Sequence, residues 1–173
     1  MNLILLSGGL DSALCLARYG AAQAVGFEYG QAHAVELDYA AKIAVHYGVP
    51  FTRHALPFMP RVDDVVFAGR NAVMLTAAAS RAQAAGIDCV LIGCNFTDAQ
   101  RFPDCRPAFI KAMNEALHGA YGVRVSAPLL TMTKAQIVAE ARERGIPETW
   151  TCYAPTPAGD RCGECYSCKG LTC

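Results

Sequence analysis

The stretch LILLSGGLDSALCLA, Leu3 to Ala17, decides the reading of the chain. Leu3 to Leu6 form an apolar run of strand length, and a helix-like apolar pattern resumes from Asp11. Between them stands Ser7-Gly8-Gly9-Leu10-Asp11-Ser12. A strand that turns straight into a helix aims the helix's unpaired N–H groups and positive dipole end at the turn, which suits an anion, phosphate foremost. Gly8 and Gly9 permit a close backbone approach that side chains would block, and Ser7 and Ser12 add hydroxyls. The spacing matches neither the common P-loop nor the dinucleotide fingerprint. A tight turn with a helix cap is the plain alternative.

Further along, apolar segments of two kinds alternate. Leu3–Leu6, Ala24–Tyr29, Phe51–Leu56, Cys89–Gly93 and Val123–Leu129 read as strands. Asp11–Tyr19, Ala34–Tyr47, Asn71–Ala85, Pro107–His118 and Lys134–Arg144 read as helices, with Gly48, Gly86 and Gly145 just past three of their ends. The alternation predicts an α/β fold, a doubly wound parallel sheet with helices on both faces. Ligands in such sheets bind beyond the carboxyl ends of the strands, where SGGLDS, YGQAH, AGRN and CNFTDAQRFPDCR fall. After Gly145 the pattern breaks. The expected organisation is an α/β domain over 1–147 and a C-terminal lobe over 148–173.

The 173 residues are 53% hydrophobic and 17% charged with zero formal net charge, which excludes a disordered chain. A nucleic-acid partner would call for a basic excess and is not expected. No apolar run approaches the roughly 18–20 residues that span a bilayer, so no membrane association is expected. Asp11 and Arg18 interrupt the N-terminal apolar stretch, and no basic segment precedes it, so it does not read as a signal peptide. A cytoplasmic location is expected.

Nine cysteines are many for a reducing compartment, where metal binding or catalysis is the commoner use. Cys152, Cys162, Cys165 and Cys168 follow C-x9-C-x2-C-x2-C. Four thiolates converging on one ion suit a closed structural zinc site. An iron–sulfur cluster is the rival, because C-x2-C-x2-C also opens ferredoxin runs. Cys173 reads as a spare thiol, and Cys105 as a packing residue.

The SGGLDS loop after a first strand resembles the ATP-pyrophosphatase family. Together with YGQAHAVEL, GRN, FPDCRPAFI, APLLTMTKAQI, TWTCY and CGECYSC, it makes the chain similar to the 7-cyano-7-deazaguanine synthases of queuosine biosynthesis. The resemblance implies an adenine-nucleotide α-hydrolase-like fold, one zinc per chain held by Cys152, Cys162, Cys165 and Cys168, and a homodimer. It implies an ATP-dependent carbon–nitrogen ligase that converts 7-carboxy-7-deazaguanine and ammonia to the nitrile through adenylated intermediates, releasing AMP and pyrophosphate. Leu6, Ser7, Gly8, Gly9, Leu10, Asp11 and Ser12 would hold the ATP phosphates, with Asp11 near the accompanying Mg2+. Arg70 and Asn71 would contact the nucleotide. Tyr29, Gln31, Phe102, Asp104 and Arg106 would meet the deazaguanine, Arg106 pairing with its carboxylate. Asp11, Lys134 and Arg106 are the expected catalytic groups.

Two departures accompany the likeness. The family's Asp-Tyr-Ser-Gly-Tyr stretch appears as Asp98-Ala99-Gln100-Arg101-Phe102, and the loop between Phe58 and Gly69 is short. The alternatives to the nitrile product are a reaction that stops at the amide, another ATP-pyrophosphatase acting on RNA, and a non-catalytic nucleotide-binding module.

Overall fold

The computed structural model describes residues 1–56 and 69–169. The loop expected after Phe58, and Cys173, lie outside them. Five strands form one sheet: β1 (Asn2–Leu5), β2 (Gln23–Glu28), β3 (Phe51–Ala55), β4 (Cys89–Leu91) and β5 (Arg124–Ser126). Every pairing is parallel and the order is β3-β2-β1-β4-β5. The chain starts in the middle, winds outward to β3, then returns past β1 to β4. A switch point therefore opens between β1 and β4, where neighbouring connections leave in opposite directions.

The helices are α1 (Leu10–Tyr19), α2 (Glu36–His46), α3 (Arg70–Ala84), α4 (Phe96–Arg101), α5 (Pro107–Tyr121), α6 (Lys134–Glu143) and α7 (Tyr166–Lys169). Successive side chains of a strand point to opposite faces. Leu3 and Leu5 accordingly join Leu75, Ala78 and Ala82 of α3 and Ile110 and Leu117 of α5 in one core. Ile4 and Leu6 join Leu14 and Leu16 of α1, Ile43 of α2 and Ile137 of α6 in the other. Covering both faces explains why β1 reads as an unbroken apolar run rather than an alternating one.

The five expected strands and five expected helices are all present, with ends moved by a few residues. β5 stops at Ser126 because Pro128 has no N–H to donate and the chain turns there. α4 and a single tight helical turn over Pro103–Cys105 have no counterpart in the sequence pattern. Both are too short to display a period.

The segment following Gly145 contains no strand and only the four residues of α7 among its described residues. It is anchored by a small third cluster, Trp150 with Cys152 and Cys168, against Val35 and Tyr39. No helix among the described residues is long and apolar enough to cross a membrane.

Candidate active site

β1 delivers the chain to the switch point, and Gly8 makes the turn. Its φ is +89°, and a Cβ there would stand 1.9 Å from the Glu36 carbonyl oxygen, so only glycine fits. The Ser7 and Ser12 hydroxyls lie 3.2 Å apart, and Ser12 Oγ donates to the Gly9 carbonyl at 3.0 Å. From the C-terminal segment, the Trp150 N–H donates to the Gly8 carbonyl at 2.8 Å. Across the switch point, Gly93 passes so near α1 that a Cβ would lie 2.9 Å from the Ser12 nitrogen.

Three connections converge on Asp11. Its Oδ2 pairs with Lys134 Nζ at 2.6 Å, and its Oδ1 accepts from Asn95 Nδ2 at 3.3 Å. Asn95 is wholly buried. It also donates to Asp98 Oδ2 at 2.7 Å, while its Oδ1 accepts from the Asp98 N–H at 2.9 Å and caps α4. Lys134 opens α6 behind a Thr133–Gln136 capping box, and its backbone N–H donates to Thr97 Oγ1 at 3.0 Å. Burial, and then the Asp11 charge, push the Asp98 carboxyl up to about 6.

These elements surround a cleft of about 850 Å³, mouth included. Leu5, Leu6, Val25, Phe27, Met74 and Ile92 supply apolar walls, with Ser7, Asp11 and Ser12 at one end. Tyr29, Glu36, Arg70, Asn71 and Tyr153 add a second polar wall. That mix of apolar surface with a few convergent polar groups is the usual character of a small-molecule site.

The second wall is built around Arg70, whose Nη1 donates to Tyr29 Oη at 2.8 Å. Burial drives the Glu36 carboxyl up to about 7, partly offset by Arg70 and by Gln31, whose Nε2 stands 3.4 Å away. His33, buried behind Glu36 with Nε2 3.7 Å from its carboxylate, is driven down to about 4, first by burial and then by Arg70. Burial lifts the Tyr153 phenol to about 12.

Of the residues singled out in the sequence, Leu6, Ser7, Gly9, Asp11, Ser12, Tyr29, Arg70 and Asn71 line the cleft. Gly8 and Leu10 form the loop behind it, and Lys134 reaches it through Asp11. Gln31, Phe102, Asp104 and Arg106 do not line it. Gln31 bridges the Tyr29 N–H and the Phe27 carbonyl. Buried Asp104 accepts from the Asn71 N–H at 3.1 Å, while exposed Arg106 donates from Nε to the Ala99 carbonyl at 3.3 Å. No ion pair joins Asp104 to Arg106 among the described residues. Phe102 packs against the first core.

Glu36, Asp98 and Tyr153 also line the cleft, and no motif in the sequence assigns them there. Glu36 and Tyr153 lie within stretches quoted for other residues, and Asp98 heads the stretch that departs from the family's pattern.

In the C-terminal segment the Sγ atoms of Cys152, Cys162, Cys165 and Cys168 all lie within 4.8 Å of one another. A tetrahedral ion with metal–sulfur bonds of about 2.3 Å places its thiolates roughly 3.8 Å apart, so these four could hold one. The Cys162 N–H points at Cys152 Sγ (3.2 Å) and the Cys165 N–H at Cys162 Sγ (3.3 Å), a setting that stabilises negative sulfur.

A parallel sheet wound as β3-β2-β1-β4-β5, with a Ser-Gly-Gly-Leu-Asp-Ser turn at its switch point, defines a doubly wound α/β protein. Two solved structures share this fold. They are the U34-tRNA thiolase NcsA from Methanococcus maripaludis with its [4Fe-4S] cluster (TM-score 0.59, 15% identity, 90% of this chain and 60% of that one) and the NMN synthetase from Francisella tularensis (TM-score 0.52, 16% identity, 84% and 62%). Sequence narrows the class, since the model of the queuosine biosynthesis protein QueC matches residues 1–65 and 59–171. The 7-cyano-7-deazaguanine synthase 1 of Sphingopyxis alaskensis is 38% identical, with 96% of this chain and 89% of the relative covered. The 7-cyano-7-deazaguanine synthase of Syntrophotalea carbinolica is 36% identical over 96% and 87%. The chain belongs to the QueC family.

Proposed function

We propose that the protein is an ATP-dependent carbon–nitrogen ligase that converts 7-carboxy-7-deazaguanine and ammonia to 7-cyano-7-deazaguanine. The observation that carries this is the cleft at the switch point, in a chain 38% identical to a named 7-cyano-7-deazaguanine synthase. ATP lies with its phosphates at the Ser7–Ser12 turn and the N-terminus of α1, and Mg2+ accompanies it. The substrate carboxylate attacks the α-phosphorus, pyrophosphate leaves, and ammonia displaces AMP to give the amide. A second adenylation, on the amide oxygen, lets that oxygen leave as AMP when the nitrile forms. Neither oxygen departs unaided, which is why the reaction consumes ATP.

Lys134 offsets charge building on the phosphates, held in place by Asp11. Arg70 and Asn71, at the start of α3, face the nucleotide, and Tyr29 flanks the deazaguanine. Asp104 acts from behind the wall by holding Asn71. Zinc in the four-cysteine site would fix the C-terminal lobe, whose Trp150 N–H meets the Gly8 carbonyl, against the phosphate turn. The close spacing of the sulfurs favours a single ion over a cluster whose irons each take one cysteine. Two chains pair as a homodimer in the cytoplasm.

Incubation with ATP, the carboxylate and ammonium tests the reading. AMP and pyrophosphate are expected, with none from an Asp11→Ala variant. ADP and phosphate would contradict it.

A further inference from the structure

Among the described residues, Asn95 is the side chain hydrogen-bonded to both carboxylates at the phosphate end of the cleft, and its three bonds use both amide hydrogens and one lone pair of its oxygen. One N–H goes to Asp11 Oδ1 (3.3 Å), another to Asp98 Oδ2 (2.7 Å), and the carbonyl oxygen caps α4 through the Asp98 N–H (2.9 Å). The residue is 0% exposed, so water cannot replace these bonds. Two carboxylates brought together in a half-buried site repel, and only fixed donors keep them facing the same space.

We propose that Asn95 is a positioning residue for nucleotide binding. By bridging Asp11 and Asp98 it holds the Asp11–Lys134 pair in register with the phosphate turn. The assignment rests on the proposed ATP-dependent reaction but concerns a residue that never meets the substrates. Asn95 does not line the cleft, whereas Asp11 and Asp98 do. The amide joins the connection after β4 to α1, and Lys134 brings in the connection after β5. One side chain thus ties together the two sides of the switch point.

Capping and bridging can be separated by substitution. Serine at a helix N-cap still accepts from the backbone N–H, so Asn95→Ser keeps α4 capped, but its single short hydroxyl cannot donate to two carboxylates. Asn95→Asp is isosteric and also a good cap, yet it replaces both donors with a third carboxylate. Titration calorimetry with MgATP, alongside steady-state kinetics and thermal melts, provides the readout. The proposal expects Asn95→Ser to weaken ATP binding and raise the KM for ATP about tenfold, the worth of roughly one charge-assisted hydrogen bond. The KM for the deazaguanine should change little whatever the melting temperature does, and Asn95→Asp should weaken ATP binding further. If either folded variant binds ATP like the parent, or loses stability with KM for ATP unchanged, the assignment is overturned. A parent protein that binds no ATP overturns the assignment together with the reading on which it rests.

Discussion

Glu36 illustrates how one residue carries a pH dependence. Its carboxyl stands at the cleft wall beside Arg70 and Gln31, raised from 4.5 to about 7 mainly by burial. The folded state therefore holds this proton more tightly than the unfolded chain. The contribution to stability is complete below about 4.5 and is lost as the pH rises through 7. Asp98, raised from 3.8 to about 6, acts in the same direction, whereas His33, lowered from 6.5 to about 4, opposes both by favouring the folded state above 6.5. Glu36→Gln removes the cost of burying the charge, so its melting temperature should exceed the parent's near pH 8 and match it near pH 5. The ceiling is on the order of 3 kcal/mol. Equal melting temperatures for variant and parent at both pH values would show that the Glu36 carboxyl ionises without penalty.

Among the elements, the long helices were legible because each is buried along a face with a clear period, as in α3 and α6, and the central strands because they are short apolar runs covered on both faces. The phosphate turn was legible for a local reason, since strand, glycines and helix start are contiguous. The second polar wall was not. Tyr29 and Glu36 follow β2, Arg70 opens α3 and Tyr153 lies beyond α6, so only the winding order unites them. Arg106 shows the converse. It follows Cys105, which lines the cleft, yet the extended backbone before α5 turns it outward to solvent. The C-terminal segment is the element most dependent on something other than its own core, which consists of little more than Trp150, Cys152 and Cys168. One equivalent of zinc per chain is expected by metal analysis. Cys165→Ser should lower zinc content and expose the bond after Arg161 to trypsin, while the α/β core stays protected. Iron with sulfide, or unchanged proteolysis after zinc removal, would contradict this account of the lobe.

At the scale of the molecule, the cores on the two faces of the sheet leave a few large apolar side chains exposed. Val45 on α2 is 80% exposed and Tyr19 at the end of α1 is 43% exposed, on helices that cover one face of the sheet. Light scattering at micromolar concentration should return the mass of two chains, and the mass of one chain would contradict the dimer. In the proposed reaction a single cleft adenylates twice, first a carboxylate and then the amide made from it. The second event asks more of the site, because a neutral amide is the poorer nucleophile and water must be kept out. The direct measurement is the mass of the product formed from 7-carboxy-7-deazaguanine, excess ATP and 15N-ammonium. The account predicts 7-cyano-7-deazaguanine carrying one 15N, with two AMP released per nitrile. Accumulation of the labelled amide, unconverted when supplied again with fresh ATP, would contradict it.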